Sequence, residues 1–136
     1  MSDARDLPED VRALLKEHIE SYEQLEMLLL LRRERYEGWT AEGLAARLRV
    51  GAEFIEPALA GLKLSGLVEI TGTAPARFAY RAASSGLDAA AGRLEREYAE
   101  RPILIIQQMS ANAIGRLRTA ALHTFADAFV LKKGKQ

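Results

Sequence analysis

The 136-residue chain contains no cysteine, two histidines and one tryptophan, and its charges cancel to a net of zero. Without cysteine, disulfide frameworks and thiolate metal sites are excluded. His18 and His123 lie far apart in sequence, and neither has Asp, Glu or His neighbours at metal-ligand spacing, so packing or surface roles are expected for both. A phosphate-cradling loop is missing too. Gly61-Leu62-Lys63-Leu64-Ser65-Gly66 has glycines and a lysine but not the spacing such a loop needs. No Ser/His/Asp set stands out, and the carboxylates are spread over helix faces rather than paired. No catalytic activity, cofactor or metal is therefore expected. The longest apolar run, Met27–Leu31, has five residues, against the roughly 20 that span a bilayer. The first residues lack the layout of a signal peptide. The expectation is a cytoplasmic protein with no membrane partner.

Hydrophobic residues make up 49% of the chain and charged residues 28%, a composition suited to one packed core rather than a polybasic coat for nucleic acid. The zero net charge conceals a gradient. Residues 1–26 carry −5, residues 27–82 carry +2 and residues 83–136 carry +3. The acidic charges at the start alternate with Leu and Val, as on a solvated helix face.

Helical spacing of Val11, Leu14, Leu15 and Ile19 after Leu7-Pro8-Glu9-Asp10 predicts a first helix, with Pro8 at its first position. Ser21-Tyr22-Glu23-Gln24 has the form of a capping box. The helix it opens, to about Arg35, is apolar nearly all round over Leu28–Leu31 and is expected to be central and buried. Gly38-Trp39 breaks the pattern, and packing is expected for Trp39 and Tyr36. Thr40 then caps a short helix over Ala41–Leu48, Val50-Gly51 turns the chain, and Ala52–Leu64 forms a longer helix closed by Gly66. Leu67–Thr71 and Arg77–Arg81 alternate as strands around the turn residues Gly72-Thr73-Ala74-Pro75. From Ser84, Leu87, Ala91, Leu94 and Tyr98 mark another helix. Beyond Pro102, apolar positions from Ile103 to Phe129 predict one broken helix or two short ones.

The most specific signal is an ordered series: Leu44-Ala45-Ala46-Arg47-Leu48-Arg49-Val50, a turn, a helix ending Leu59-x-x-Leu62-x-x-x-Gly66-Leu67-Val68, and a hairpin. It resembles the winged helix-turn-helix regulators of bacteria of the MarR, ArsR and PadR kind, over about a third of the chain. The resemblance implies a mostly α (α+β) fold with two N-terminal helices, a two-stranded wing and a C-terminal helical extension. The expected divisions are an N-terminal helix over 1–20, a winged-helix domain over 21–82 and a helical extension over 83–136. The implied function is that of a dimeric DNA-binding transcriptional regulator.

In such regulators the longer helix enters the major groove. Its outward positions here would be Ala52, Glu53, Glu56, Pro57, Ala60 and Gly61, none of them a hydrogen-bond donor through its side chain. Basic residues lie beside this face: Arg47, Arg49, Lys63, Arg77 and Arg81. They fit a clamp on the phosphates of duplex DNA, and they also fit an ordinary solvated surface. The acidic face around Glu53, Glu56 and Pro57 supports a different function, a non-enzymatic module that docks a protein partner. Arg32-Arg33-x-Arg35 suits the negative end of its helix.

The C-terminal third holds more large apolar residues than a small winged helix can bury. Leu94, Tyr98, Ile103, Ile106, Leu117, Phe125 and Phe129 are expected to form a homodimer interface, or else to pack onto their own domain.

Overall fold

A computed structural model describes residues 6–35 and 38–134, with side chains described as far as residue 128. The expectations for Tyr36 and for the side chain of Phe129 fall outside the described residues. The chain forms α1 (Glu9–His18), α2 (Tyr22–Arg33), α3 (Ala41–Leu48), α4 (Ala52–Leu64), β1 (Val68–Thr71), β2 (Arg77–Tyr80), α5 (Ser85–Glu100) and α6 (Pro102–Gly134).

Local chemistry sets most of these boundaries. Pro8 stands just ahead of α1 as its N-cap rather than inside it, with Glu9 and Asp10 in the first turn. The Ser21 hydroxyl accepts from the Gln24 amide N–H at 3.1 Å, and Gln24 Oε1 accepts from the Glu20 N–H at 2.8 Å. This is a reciprocal cap whose return bond reaches one residue further back than the usual box. Thr40 caps α3 at the Gly43 N–H, and Ser84 caps α5 at the Leu87 N–H. The end of α4 is a Schellman closure: Gly66 has φ +75°, Leu67 N–H donates to the Leu62 carbonyl and Gly66 N–H to the Lys63 carbonyl, both at 3.0 Å.

Helix α2 is the axis of the core. Every residue from Met27 to Leu31 is buried, with α4, β2 and α3 packed around the helix. Leu44, Ile55, Leu59, Leu62, Leu67 and Val68 supply the winged-helix side of the same core, and Val11, Leu14, Leu15, Ala91, Leu94 and Ile105 the α1–α5–α6 side.

The wing pairs antiparallel, from Val68 opposite Tyr80 to Thr71 opposite Arg77. Trp39 adds a single antiparallel bridge on the other edge of β2, because its N–H and carbonyl exchange hydrogen bonds with Phe78 at 2.8 and 2.7 Å. Its indole N–H donates to the Glu34 carbonyl at 3.3 Å. The residue just ahead of the Thr40 cap of α3 therefore ties the two-helix motif to the wing, by a pairing that no local sequence pattern announces.

Two expectations about the C-terminal helices need correction. Pro102 is followed by one continuous 33-residue helix, α6, not by a broken helix or two. Proline fits the first position of a helix, where its missing N–H has no partner to lose, so it starts α6 after the break at Arg101. Leu94 is wholly buried in the chain's own core and is not on any surface available to a second copy. The remainder of the apolar set divides. Ile105 is buried, whereas Ile103 and Ile106 face outward. Tyr98 is half-buried, and its hydroxyl donates to Glu26 Oε1 at 2.8 Å.

A candidate nucleic-acid interface and a free helix

Residues 41–81 present two consecutive helices, a turn between them and a wing. The turn is set by Arg49, the only described non-glycine residue with positive φ (+56°), whose left-handed conformation stops α3 and redirects the chain into α4. The outward side of α4 carries Ala52, Glu53, Glu56, Pro57 and Ala60, all exposed. Gly61 is not among them. It faces α2, and a Cβ there would collide with the Gln24 amide nitrogen. Glu53 folds back toward Gly51, where a Cβ would lie 2.6 Å from both carboxylate oxygens. Its charge therefore sits at the positive end of α4's own dipole, a helix that lacks a side-chain cap. Pro57 withholds one backbone N–H from the middle of α4.

The five basic residues are strung around α4 rather than clustered. Arg49 is exposed at the α3–α4 turn and Lys63 at the far end of α4, and neither has an ion-pair partner among the described residues. Eleven helical steps from Ala52 to Lys63 separate the two ends by about 17 Å. Arg47 pairs with Glu34 at 3.2 Å. Arg77, at the outer end of the wing, reaches the Gly38 carbonyl at 3.5 Å. Arg81, just past the inner end of β2, pairs with Glu69 at 3.1 Å while its side chain stays 74% exposed. Exposed pairs of this kind contribute about 0.2–1 kcal/mol and are readily exchanged for another anion.

Arg32 and Arg35 do more than end α2 in solvent. They flank the Tyr80 ring, with their guanidinium carbons 5.8 and 4.8 Å from its centroid. Arg32 also donates to Glu95 on α5 at 2.6 Å, and the Tyr80 hydroxyl donates to Asp88 at 2.6 Å. Burial, reinforced by Asp88, pushes the Tyr80 hydroxyl up to about 12. This network joins the root of the wing to α2 and α5. Its partners are up to 63 residues apart, beyond any local sequence signal.

Helix α6 is about 50 Å long at 1.5 Å per residue. From Ile114 to Ala128 every residue is exposed. Ile114 (51%), Leu117 (70%), Leu122 (69%) and Phe125 (72%) are large apolar side chains in water. Ile114, Leu117, Ala121 and Phe125 share one stripe by helical spacing. On another side of the helix, Arg116 donates to the Glu20 carbonyl at 3.1 Å. Lys16, Asn112, Arg116, Thr119 and His123 line an open groove of about 590 Å³ between α1 and α6. Among the described residues, no three His, Asp or Glu side chains converge as a metal site, and no helix is long and apolar enough to cross a membrane.

No family model and no curated protein matches the chain. Solved structures do. A MarR family transcription regulator aligns over 87% of this chain and 80% of its own at a TM-score of 0.52 and 18% identity. MepR, a transcription regulator of the Staphylococcus aureus multidrug efflux pump MepA, aligns over 88% and 90% at 0.51 and 14% identity. The fold is a MarR-type winged helix. A variant of S. aureus MepR solved bound to an oligodeoxyribonucleotide aligns over 88% of this chain and 90% of its own at 0.50 and 12% identity. The MarR-type likeness extends well beyond the helix-turn-helix to include the flanking helices, as the coverage requires.

Proposed function

We propose that the protein is a cytoplasmic DNA-binding transcriptional regulator that acts as a homodimer, with no enzymatic role. The observation that carries this reading is a MarR-type winged helix whose last helix leaves an apolar stripe in water. Residues 21–82 serve as the DNA-binding unit and residues 83–136 supply the dimer contact, with 1–20 as the helix that braces them. Tyr98, Ile103, Ile106, Leu117 and Phe125 line or adjoin the dimer contact, joined by Ile114. The MepR variant solved with an oligodeoxyribonucleotide supports DNA as the ligand.

The chemistry of α4 determines how DNA is held. Base edges are read by side-chain donors and acceptors, and phosphates by Arg and Lys. The outward face of α4 has no donor, so Arg47, Arg49, Lys63, Arg77 and Arg81 hold the phosphate backbone and a wing arginine enters the minor groove. A second protomer doubles this set of cations. Binding of that kind weakens about 10³–10⁵-fold between about 50 and 200 mM salt and discriminates sequence weakly. Fluorescence anisotropy of a labelled duplex across that salt range tests the proposal. Absence of binding at the low-salt end, with a dimeric protein confirmed in the same sample, refutes it.

A further inference from the structure

The seam between the start of α2 and the first half of α4 opens into a groove of about 390 Å³, lined by Glu20, Ser21, Glu23, Gln24, Phe54, Pro57 and Ala58. Its floor is apolar and its rim acidic. Phe54 is 51% exposed because the neighbouring Ile55 takes the core position on α4. The groove's acidic groups, Glu20 and Glu23, both lie on the α2 side and have no ion-pair partner among the described residues, whereas Glu53 and Glu56 of α4 are not part of the lining. Arg116 approaches this end of α2 but donates to the Glu20 carbonyl, not to a carboxylate. Pro57 also deprives the Glu53 carbonyl of its helical donor, adding an acceptor beside the groove.

From this juxtaposition we infer that the α2–α4 groove docks a basic protein segment, one aromatic or aliphatic side chain seated on Phe54 and Pro57 and flanking Lys or Arg side chains on Glu20 and Glu23. Charge complementarity selects this occupant. Duplex DNA would bring phosphates against the Glu20 and Glu23 carboxylates. A second copy of the chain, meeting the groove through a two-fold axis, would place the same acidic rim against itself. The inference stands on the groove alone and holds whether or not the chain binds DNA.

The test uses the full-length protein and a labelled synthetic peptide, Lys-Arg-Trp-Leu-Arg-Lys, read by fluorescence anisotropy. A matched peptide, Lys-Arg-Gly-Ser-Arg-Lys, keeps the charge and drops the anchor. Saturable binding of the first is expected, weakened about tenfold by Phe54→Ala and about tenfold by the double change Glu20→Gln/Glu23→Gln, with the matched peptide at least about tenfold weaker on the wild type. Phe54 and both glutamates lie off the core, and unchanged far-UV circular dichroism verifies each fold. The inference is overturned by no saturable binding, by equal binding of the two peptides, or by peptide binding that ignores Phe54→Ala. It is also overturned if Phe54→Ala weakens binding of a labelled duplex while leaving the peptide untouched, because the groove is then part of the DNA contact.

Discussion

Gln24 Nε2 donates to the Ala58 carbonyl at 3.2 Å across the α2–α4 interface, and Gly61 leaves the space for it. Gln24 is 6% exposed, the only buried polar residue among those described. Its other end accepts from the Glu20 N–H, so one side chain both caps α2 and positions α4. A buried side-chain hydrogen bond of this type contributes about 1 kcal/mol, and leaving a group unpaired costs about 1–3 kcal/mol.

Gln24 and Gly61 should therefore be coupled. Alanine at 61 gains about 1 kcal/mol of helix propensity but displaces the Gln24 amide from Ala58. In the wild type, Gly61→Ala is expected to destabilise by about 1 kcal/mol net, the unpaired groups outweighing the propensity gain. In a Gln24→Ala background, itself destabilised by about 2 kcal/mol, the same change should stabilise, because no amide remains to displace. Urea melts of the four proteins give the cycle. Effects of the same sign in both backgrounds would show that Gly61 is not present for Gln24.

The Tyr80 network makes an alkaline prediction. A phenol whose pKa rises from 10.0 to about 12 on folding stays neutral in the folded chain while the unfolded chain begins to ionise. Its contribution is full below pH 10 and is lost as pH climbs through about 12, amounting to an order of 1–3 kcal/mol. Tyr98 is raised in the same direction, chiefly by burial and then by Tyr22 and Glu26. Thermal melts taken upward from neutral pH should fall across this window, and Tyr80→Phe should reduce the fall. An unchanged pH profile in that variant would remove Tyr80 from the account.

What the sequence disclosed and what it withheld divide by range. The bounds of α3 and α4 were legible to the residue, because Thr40, Gly51, Ser65 and Gly66 are local stop and start signals. The central position of α2 followed from Met27–Leu31. The Trp39–Phe78 bridge, the Arg32–Glu95 pair and the inward turn of Gly61 depend on partners tens of residues away, so no periodicity could announce them. Leu94 was misplaced for a related reason: Leu87, Ala91, Leu94 and Tyr98 share a helical stripe, but a stripe does not say whether its own chain or another covers it. For α6 the structure shows the opposite case, a stripe its own chain leaves open.

That open stripe predicts a charge-sensitive dimer. Leu117→Glu or Phe125→Glu places a carboxylate where the proposal has apolar contact, and a hot-spot loss of about 2 kcal/mol or more corresponds to roughly 30-fold in dissociation constant. Sedimentation or light scattering should show the wild type as a dimer and either variant shifted toward monomer. The variants should keep the core folded, since neither side chain is buried in the single chain. A wild type that is monomeric at tens of micromolar would leave α6 without its proposed partner.

The grip on DNA is separable from the dimer. Arg77 and Arg81 lie four residues apart along the wing, about 13 Å in extended backbone, and are tethered only by a 3.5 Å reach to Gly38 and an exposed pair with Glu69. If they touch phosphates, each alanine substitution should weaken duplex binding about equally for every sequence and lower the slope of log affinity against log salt by about 1 for each phosphate no longer neutralised. If Arg77 instead enters the minor groove, Arg77→Ala should cost more on A·T-rich duplexes than on G·C-rich ones, because the narrow A·T groove concentrates negative potential. Glu56→Gln is the complementary change. Removing a carboxylate from the outward face of α4 should strengthen binding to all duplexes if that face meets phosphates. Anisotropy titrations of Arg77→Ala, Arg81→Ala and Glu56→Gln on one A·T-rich and one G·C-rich duplex separate these outcomes. Unaltered affinity and salt slope in both arginine variants would show that the wing does not hold the DNA.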